Sequence, residues 1–538
     1  MDTKKPPRKT KDGHPRTGSV LPHQDKDGLQ EVESAMSLPR VVSVFFIAAL
    51  AGCASNSPSS LPSPQRAQIA QIDLALKLVS EHHFAEAEGI IQPLIHAKNF
   101  GRLPSAEQYR GLLTAAKLAF TLKEPKLEYE SRLRLLALPE ATGSDRMSRL
   151  NAANRLNDTA EKLASLTDLA QKNPEQLDRM NYLFIFRVLN DSKKQLPYGA
   201  ALPLMQALYA AHWKVVWGQE PSGTWQDYAL LLIEQRQLSK AIDVSSHVTD
   251  VYDLISMRAD RRFDAITVAN PGQFDVDTAI KKNFEHFQSV AERTPKSLMP
   301  KVIVMDRLLE DQHYGAALAA ADGLVTEIRS HADPKQWYDD FDERYVWILD
   351  TRSRLLRRLG RWDEGVDQLA AASRVPDKDG KNVSQVINLG ELYCDLGDPK
   401  NGLNTLLRLG SDISAYGRMQ EADVRLDAAI QLGDAAEKEK WLGFIKEHRL
   451  DAPLTYEDAL LRMNDVETAA KWLIERLEDK ELRSAALLRI QDYKVPLETP
   501  RQAELRKRRG ELMARADVQA QIQKVGRIQS YKIEGIGQ

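Results

Sequence analysis

The stretch Val386–Leu406, VINLGELYCDLGDPKNGLNTL, decides the fold. Apolar and small residues recur at steps of three and four on both sides of Leu396-Gly397-Asp398, so two helices meet at a turn. Gly390 lies on the first helix and Gly402 on the second. A glycine at such a place lets the second helix approach the first closely, while Pro399 starts the second helix and closes the turn.

The same arrangement recurs. EHHFAEAEGII, QRQLSKAIDVS, DQHYGAALAAA and LGRWDEGVDQL each carry a break, then a bulky residue, then a small residue three positions later. The pairs are Phe84 with Ala87, Leu238 with Ala241, Tyr314 with Ala317, and Trp362 with Gly365; Pro399 with Gly402 is the fifth. The bulky residue is expected to plug the turn and the small one to set the helix spacing. Gly365 and Gly402 lie 37 residues apart, and Ala241 and Ala317 lie 76 apart, two steps of 38. A fixed period of this size marks a stacked-repeat architecture.

These segments resemble the tetratricopeptide repeat. Leu389, Gly390 and Tyr393 stand where that family has its Leu-Gly and Tyr, and Trp225 and Ala229 in WQDYALLL fill its opening aromatic and small positions. The repeats are longer than the family's usual 34 residues, and the closing proline is missing or displaced, as at Pro376. The resemblance implies an all-α, tetratricopeptide-like solenoid, an α-superhelix with a long concave surface. The alternative is an α-solenoid whose pairs look alike because close helix packing favours small residues.

Composition agrees. The chain has 538 residues, 43% hydrophobic and 28% charged, with a net charge of −2. Helix formers dominate and aromatics are 7%, so strands are not expected; the β-like run Val302 to Val304 flows into helical spacing at Met305, Leu308 and Leu309. So long a chain exceeds one compact core, and near-neutral charge gives no bias towards nucleic acid.

The N-terminal region differs. Residues 1–35 are polar and lack apolar periodicity, a leader expected to stay disordered. A charged start at Met36 and an apolar run from Val41 lead to Leu50-Ala51-Gly52-Cys53, a run too short to span a bilayer. These four residues resemble the lipobox of bacterial lipoproteins. The resemblance implies a signal peptide over 36–52, cleavage between Gly52 and Cys53, and diacylglycerol with an N-acyl chain (palmitate chemistry) on Cys53. Residues 53–65 then form a flexible tether, and the leader reads as an upstream start with Met36 the initiator. Ala54 in place of an aspartate implies the periplasmic face of the outer membrane. The alternatives are a secretory signal with a coincidental cysteine, or a short buried helix. Cys394, the second of two cysteines, reads as a buried thiol.

The body divides on this reading into arrays over 66–330 and 331–500, with a basic helix or tail over 501–538. No metalloprotease, P-loop, dinucleotide or hydrolase-elbow motif occurs, and no cofactor or metal is expected. His82-His83 reads as a helix end, and the DKDG runs at Asp25 and Asp377 read as turns. In WYDDFDERYVW, the acids Asp339, Asp340, Asp342 and Glu343 among aromatics form a candidate patch for a basic or amphipathic partner. The alternative is a helix start with acids favoured by the dipole. Arg506-Lys507-Arg508-Arg509 is a candidate for anionic lipid or an acidic partner face, or else the solvated side of a capping helix. Glu130-Ser131 is similar to the pair in lytic transglycosylases, but no lysozyme-like domain follows it. The expected function is a membrane-anchored scaffold or adaptor in cell-envelope assembly, with protein partners, not an enzyme. A passive spacer is the third reading.

Overall fold

One local device ends helix after helix. In the computed structural model, which describes residues 62–376, 382–410 and 413–535, it occurs at nine helix ends, each with a residue of positive φ: His82, Lys123, His212, Arg236, Gln312, Gly360, Gly397, Gly433 and Asn464. In each case the next residue's N–H donates to the carbonyl five residues back. Examples are His83 to Leu78 at 2.9 Å, Glu124 to Ala119 at 2.8 Å, Asp398 to Tyr393 at 2.8 Å and Asp465 to Leu460 at 2.9 Å. This left-handed cap satisfies an orphan carbonyl and turns the chain back sharply.

The described residues fall into two compact units, 62–216 and 217–535. The first unit pairs α1 (Ser63–Ser80) with α2 (Phe84–His96), α3 (Ser105–Thr121) with α4 (Pro125–Leu135), and α5 (Gly143–Leu156) with α6 (Thr159–Lys172), then adds α7 (Tyr182–Gln195) and α8 (Leu202–Ala210).

The second unit begins with α9 (Ser222–Glu234), α10 (Leu238–Ser245), α11 (Val251–Ala259), the short α12 (Asp264–Thr267) and α13 (Val276–Arg293). Hairpins follow: α14 (Met299–Glu310) with α15 (Tyr314–Ser330) and, after the single-turn α16 (Pro334–Trp337), α17 (Phe341–Arg358) with α18 (Trp362–Ala372). Next come α19 (Val383–Asp395) with α20 (Pro399–Leu406), α21 (Ala415–Leu432) with α22 (Ala435–Glu447), and α23 (Pro453–Arg462) with α24 (Val466–Glu478). Each hairpin packs on the next, so the fold is an all-α, tetratricopeptide-like helical-repeat array. Val302 to Val304 lie within α14, as the spacing predicts.

The small residues sit five places beyond the left-handed turn. Ala87, Ala241, Ala317 and Ala469 are wholly buried there. Gly365 and Gly402 fill the same place. A Cβ on Gly402 would stand 2.7 Å from Cys394 Sγ and 3.0 Å from the Gly390 carbonyl, and one on Gly365 would meet the Arg357 stem at 2.7 Å. Leu389 is buried, and Tyr393 packs partly buried against the same core. The bulky partners behave less uniformly. Phe84, Tyr314 and Trp362 are half-buried, but Leu238 stands 41% exposed. The turn there is closed by the same bond as the others, Gln237 N–H to the Leu232 carbonyl at 2.8 Å, so the bond and not the bulky residue is what the turns share.

The C-terminal segment is part of the second unit's interior. After α25 (Arg483–Arg489) come β1 (Asp492–Lys494), α26 (Pro500–Met513), α27 (Ala516–Val525) and β2 (Ser530–Glu534), with β1 and β2 paired in parallel. These two strands were not expected from composition. α25 packs on α11, joining the end of the unit to its beginning. Asp260, wholly buried, is ion-paired with Arg262 at 2.6 Å, and Arg262 reaches the Lys480 carbonyl and Ser484. Gly526 bridges to Asp260, and Arg527 N–H donates to the Ala259 carbonyl at 2.9 Å. Only glycine fits at 526: a Cβ there would lie 2.5 Å from Leu487 and 2.6 Å from the Ala259 carbonyl.

Gly402→Ala is expected to cost about 1–3 kcal/mol through overpacking. Gly443→Ala, in α22 with nothing within 4 Å of the new Cβ, is expected to stabilise by about 0.5–1 kcal/mol through helix propensity. Urea unfolding of the two variants checks the opposite signs.

Candidate functional site

The hairpins of the second unit set equivalent side chains of successive first helices side by side. Six residues before each turn stand Asp306, Arg354, Glu391, Asp427 and Asp458; two before it stand Glu310, Arg358, Asp395, Gln431 and Arg462. Acids predominate in these rows, and interspersed arginines pair with them or with nearby acids. Arg354 meets Asp306 at 2.7 Å and Asp350 at 3.4 Å, Arg307 pairs with Glu310, and Arg462 pairs with Asp423. Arg476 and Glu457, both nearly inaccessible, pair at 2.6 Å. Such pairs are costly to form and costlier to break, since removing one partner strands the other charge.

The basic C-terminal helix α26 lies on this acidic face. Arg501 pairs with Asp427, Arg509 with Asp458 at 2.6 Å, and Gln502 donates to Asp395 at 2.7 Å. Arg508 donates to the carbonyls of Leu461 and Arg462, the end of α23. So Arg508 and Arg509 of the basic run face inward, while Arg506 pairs with Glu498 on the exposed side. The acidic partner face that the run meets within this unit belongs to its own chain.

Beyond α26, β2 is held by side chains from three helices. Tyr252 of α11 donates its hydroxyl to the Glu534 carbonyl at 3.0 Å, Tyr314 of α15 donates to the Glu534 carboxylate at 2.6 Å, and Arg358 of α17 pairs with it at 2.9 Å. Glu534 and Arg358 are both buried at their charged ends. Sequence reasoning missed this cluster. Its three helical members lie 176 to 282 residues from Glu534, and no local spacing connects them.

The acidic-aromatic stretch is divided among separate structural tasks. Asp340 caps the start of α14, accepting from Ser297 and from the N–H groups of Leu298 and Met299 at 2.7–3.0 Å. Asp342 pairs with Lys335 at 2.7 Å, and buried Tyr338 donates to Glu327. Asp339 is exposed and Glu343 half-buried. The dipole-favoured helix start describes Asp342 and Glu343, which lie in the first turn of α17.

In the first unit, Glu128 occupies the small-residue place of its hairpin and is fully buried. Arg132 and Arg155 satisfy it at 2.9 and 2.7 Å, and Arg155 also lies over the Phe120 ring at 4.7 Å. Glu130 is exposed whereas Ser131 is buried, so the two do not share a cleft. His82 is the turn residue itself, and His83 bonds Glu86. Cys394 is buried, and burial pushes its thiol up to about 12. Leu50-Ala51-Gly52-Cys53 and both DKDG runs lie outside the described residues.

No protein-family model matches the chain, and no curated protein matches it. Among solved structures, yeast Tom70 is similar at 10% identity and a TM-score of 0.30, over 85% of this chain and 99% of that one. The APC/C hetero-tetramer Cut9-Hcn1 is similar at 11% identity and a TM-score of 0.27, over 84% and 89%. Naa15/Naa10 bound to HypK-THB is similar at 12% identity and a TM-score of 0.21, over 86% and 80%.

Burial pushes the Asp395 carboxyl up to about 6, against the pull of Arg462. A carboxyl raised on folding contributes stability that is complete below its unfolded pKa and is lost as pH rises through the folded value. Asp395→Asn removes that loss. Its thermal midpoint is expected to gain on the wild type's as pH rises from about 4 to about 7, the unfolded and raised folded ranges. Parallel curves over that window would contradict the assignment.

Proposed function

We propose that this chain is a lipid-anchored scaffold of a bacterial envelope that holds polypeptide partners. The observation that carries the binding part is the regular stacking of hairpins. Such arrays present first helices side by side and recognise peptide in a preformed surface. The anchoring part rests on Leu50-Ala51-Gly52-Cys53 and its resemblance to the lipobox. With Ala54 next, the reading is the periplasmic face of the outer membrane, with diacylglycerol and an N-acyl chain on Cys53. Among the described residues no helix is long and apolar enough to cross a membrane, and acylation supplies attachment without one.

In this reading the protein is an adaptor in envelope assembly, with the residues after Cys53 as its tether. In-cell crosslinking of tagged protein, followed by mass spectrometry, is expected to yield discrete protein adducts. A spacer without a specific partner yields none.

Metabolic labelling with an alkynyl palmitate analogue is expected to mark the wild-type chain. Cys53→Ser is expected to abolish the label and move the protein from the membrane to the soluble fraction. Full labelling of Cys53→Ser would refute the anchor.

A further inference from the structure

We propose that the cleft formed by Tyr252, Tyr314, Arg358 and β1 is a strand-accepting, carboxylate-reading site, and that Ser530–Glu534 is its resident ligand in cis. The partner it fits is an extended peptide with an aromatic residue, an aliphatic one two places on, and a carboxylate directly after that. The inference rests on the polypeptide-binding reading above and names the chemistry of one site within it.

The contacts are those of peptide recognition. β1 supplies a backbone edge: Asp492 N–H donates to the Gln529 carbonyl at 3.0 Å, and β2 runs parallel to it. Along β2, residues alternate. Ser530 and Lys532 face outward, while Tyr531 and Ile533 are buried, with the Tyr531 ring 5.9 Å from that of Tyr493. An added strand takes affinity from such an edge and specificity from alternate side-chain pockets.

The carboxylate reader closes the sequence of pockets. Arg358 approaches Glu534 through both Nε and Nη2, at 3.1 and 2.9 Å, while Tyr314 donates to the other oxygen. A guanidinium and a phenol converging on one carboxylate make a specific acid site. Tyr252 binds the main-chain carbonyl of the same residue, which fixes strand direction as well as side chain.

The resident strand has a defined pivot. Gly526 and Arg527 are pinned against Ala259 and Asp260, and Arg527 pairs with Asp264. Downstream, the outward residues make only exposed contacts: Lys532 meets Asp277 at 3.2 Å with both side chains mostly in solvent. Exchange therefore requires loss of β2 and the Glu534 contacts, while the seam at Gly526 stays closed. A tethered ligand acts at an effective concentration on the order of millimolar, so a free peptide competes poorly until the resident is weakened.

The test uses the full chain and a fluorescein-labelled peptide with the sequence Arg527–Gly535, followed by anisotropy. The wild-type chain is expected to bind it weakly. Glu534→Ala in the chain is expected to raise its affinity about tenfold or more, and adding Arg358→Ala to remove the gain. A peptide carrying Glu534→Gln is expected to lose most of it as well. A folded Glu534→Ala chain that binds no better than wild type overturns the proposal.

Hydrogen exchange on the wild type provides a reading independent of any variant's folding. Amides of 528–534 are expected to exchange well ahead of those in α17 and α19. Exchange at the same rate as those helices makes β2 a fixed part of the core and overturns the proposal. Crosslinked partners in cells without peptide exchange would keep the scaffold reading and place the partner elsewhere; peptide exchange without adducts would do the reverse.

Discussion

The left-handed turn is the constraint from which the rest of the architecture follows. A helix of free length can leave its end at any angle, but a cap that returns N–H to the carbonyl five residues back fixes where the next helix starts. Once that start is fixed, the residue five places later meets the first helix at close range at most of these turns. Ala87, Ala241, Ala317, Gly365, Gly402 and Ala469 occupy that place. The alanines are wholly buried, and the Gly402 approach leaves no room for a methyl group. Six of the nine turn residues carry side chains in a region that costs about 1–2 kcal/mol for L-residues. The array accepts that cost repeatedly because the alternative is an unsatisfied carbonyl at every hairpin.

The same fact explains how far the sequence could be read. Gly360 and Gly397 announce their turns, and Leu389-Gly390 with Tyr393 makes one hairpin plain. His82, Lys123, His212, Arg236, Gln312 and Asn464 perform the same task without glycine, so their hairpins look degenerate although their hydrogen bonds do not differ. Small residues carried the pattern where the turns did not. Glu128 escaped it, because two arginines from separate helices convert a buried acid into a satisfied one. Asp340, one of the acids read either as a partner patch or as part of a helix start, caps the neighbouring helix α14. The Glu534 cluster was illegible in principle: its residues share no element, and only the closed chain path brings them together.

Closure also changes the energetics expected of a repeat array. In an open solenoid each unit meets only its neighbours, and stability is a sum of local terms. Here Ala259 and Asp260 meet Leu487 and Gly526 through a seam that no alanine could enter. Helices α11 and α25, near the beginning and end of the second unit, are thereby coupled across more than two hundred residues of chain. Contacts of that sequence separation slow folding, but they also prevent the two ends of the unit from fraying independently.

The inner face then has a consistent electrostatic logic. Rows of aspartate and glutamate on successive first helices would repel one another if left in a confined space. Arg354 and Arg462 neutralise part of each row from within, and α26 brings Arg501 and Arg509 to the remainder. Glu534 reverses the roles, an acid delivered to a basic position at Arg358. Removing either member of that buried pair leaves the other unsatisfied, a penalty of about 3–5 kcal/mol. That penalty cuts in one direction only. It opposes an empty cleft, and it does not distinguish the chain's own glutamate from another carboxylate presented on a strand. A site built this way holds its occupant firmly against water, and on the proposal above a chemical equivalent takes its place only once the tethered strand is weakened.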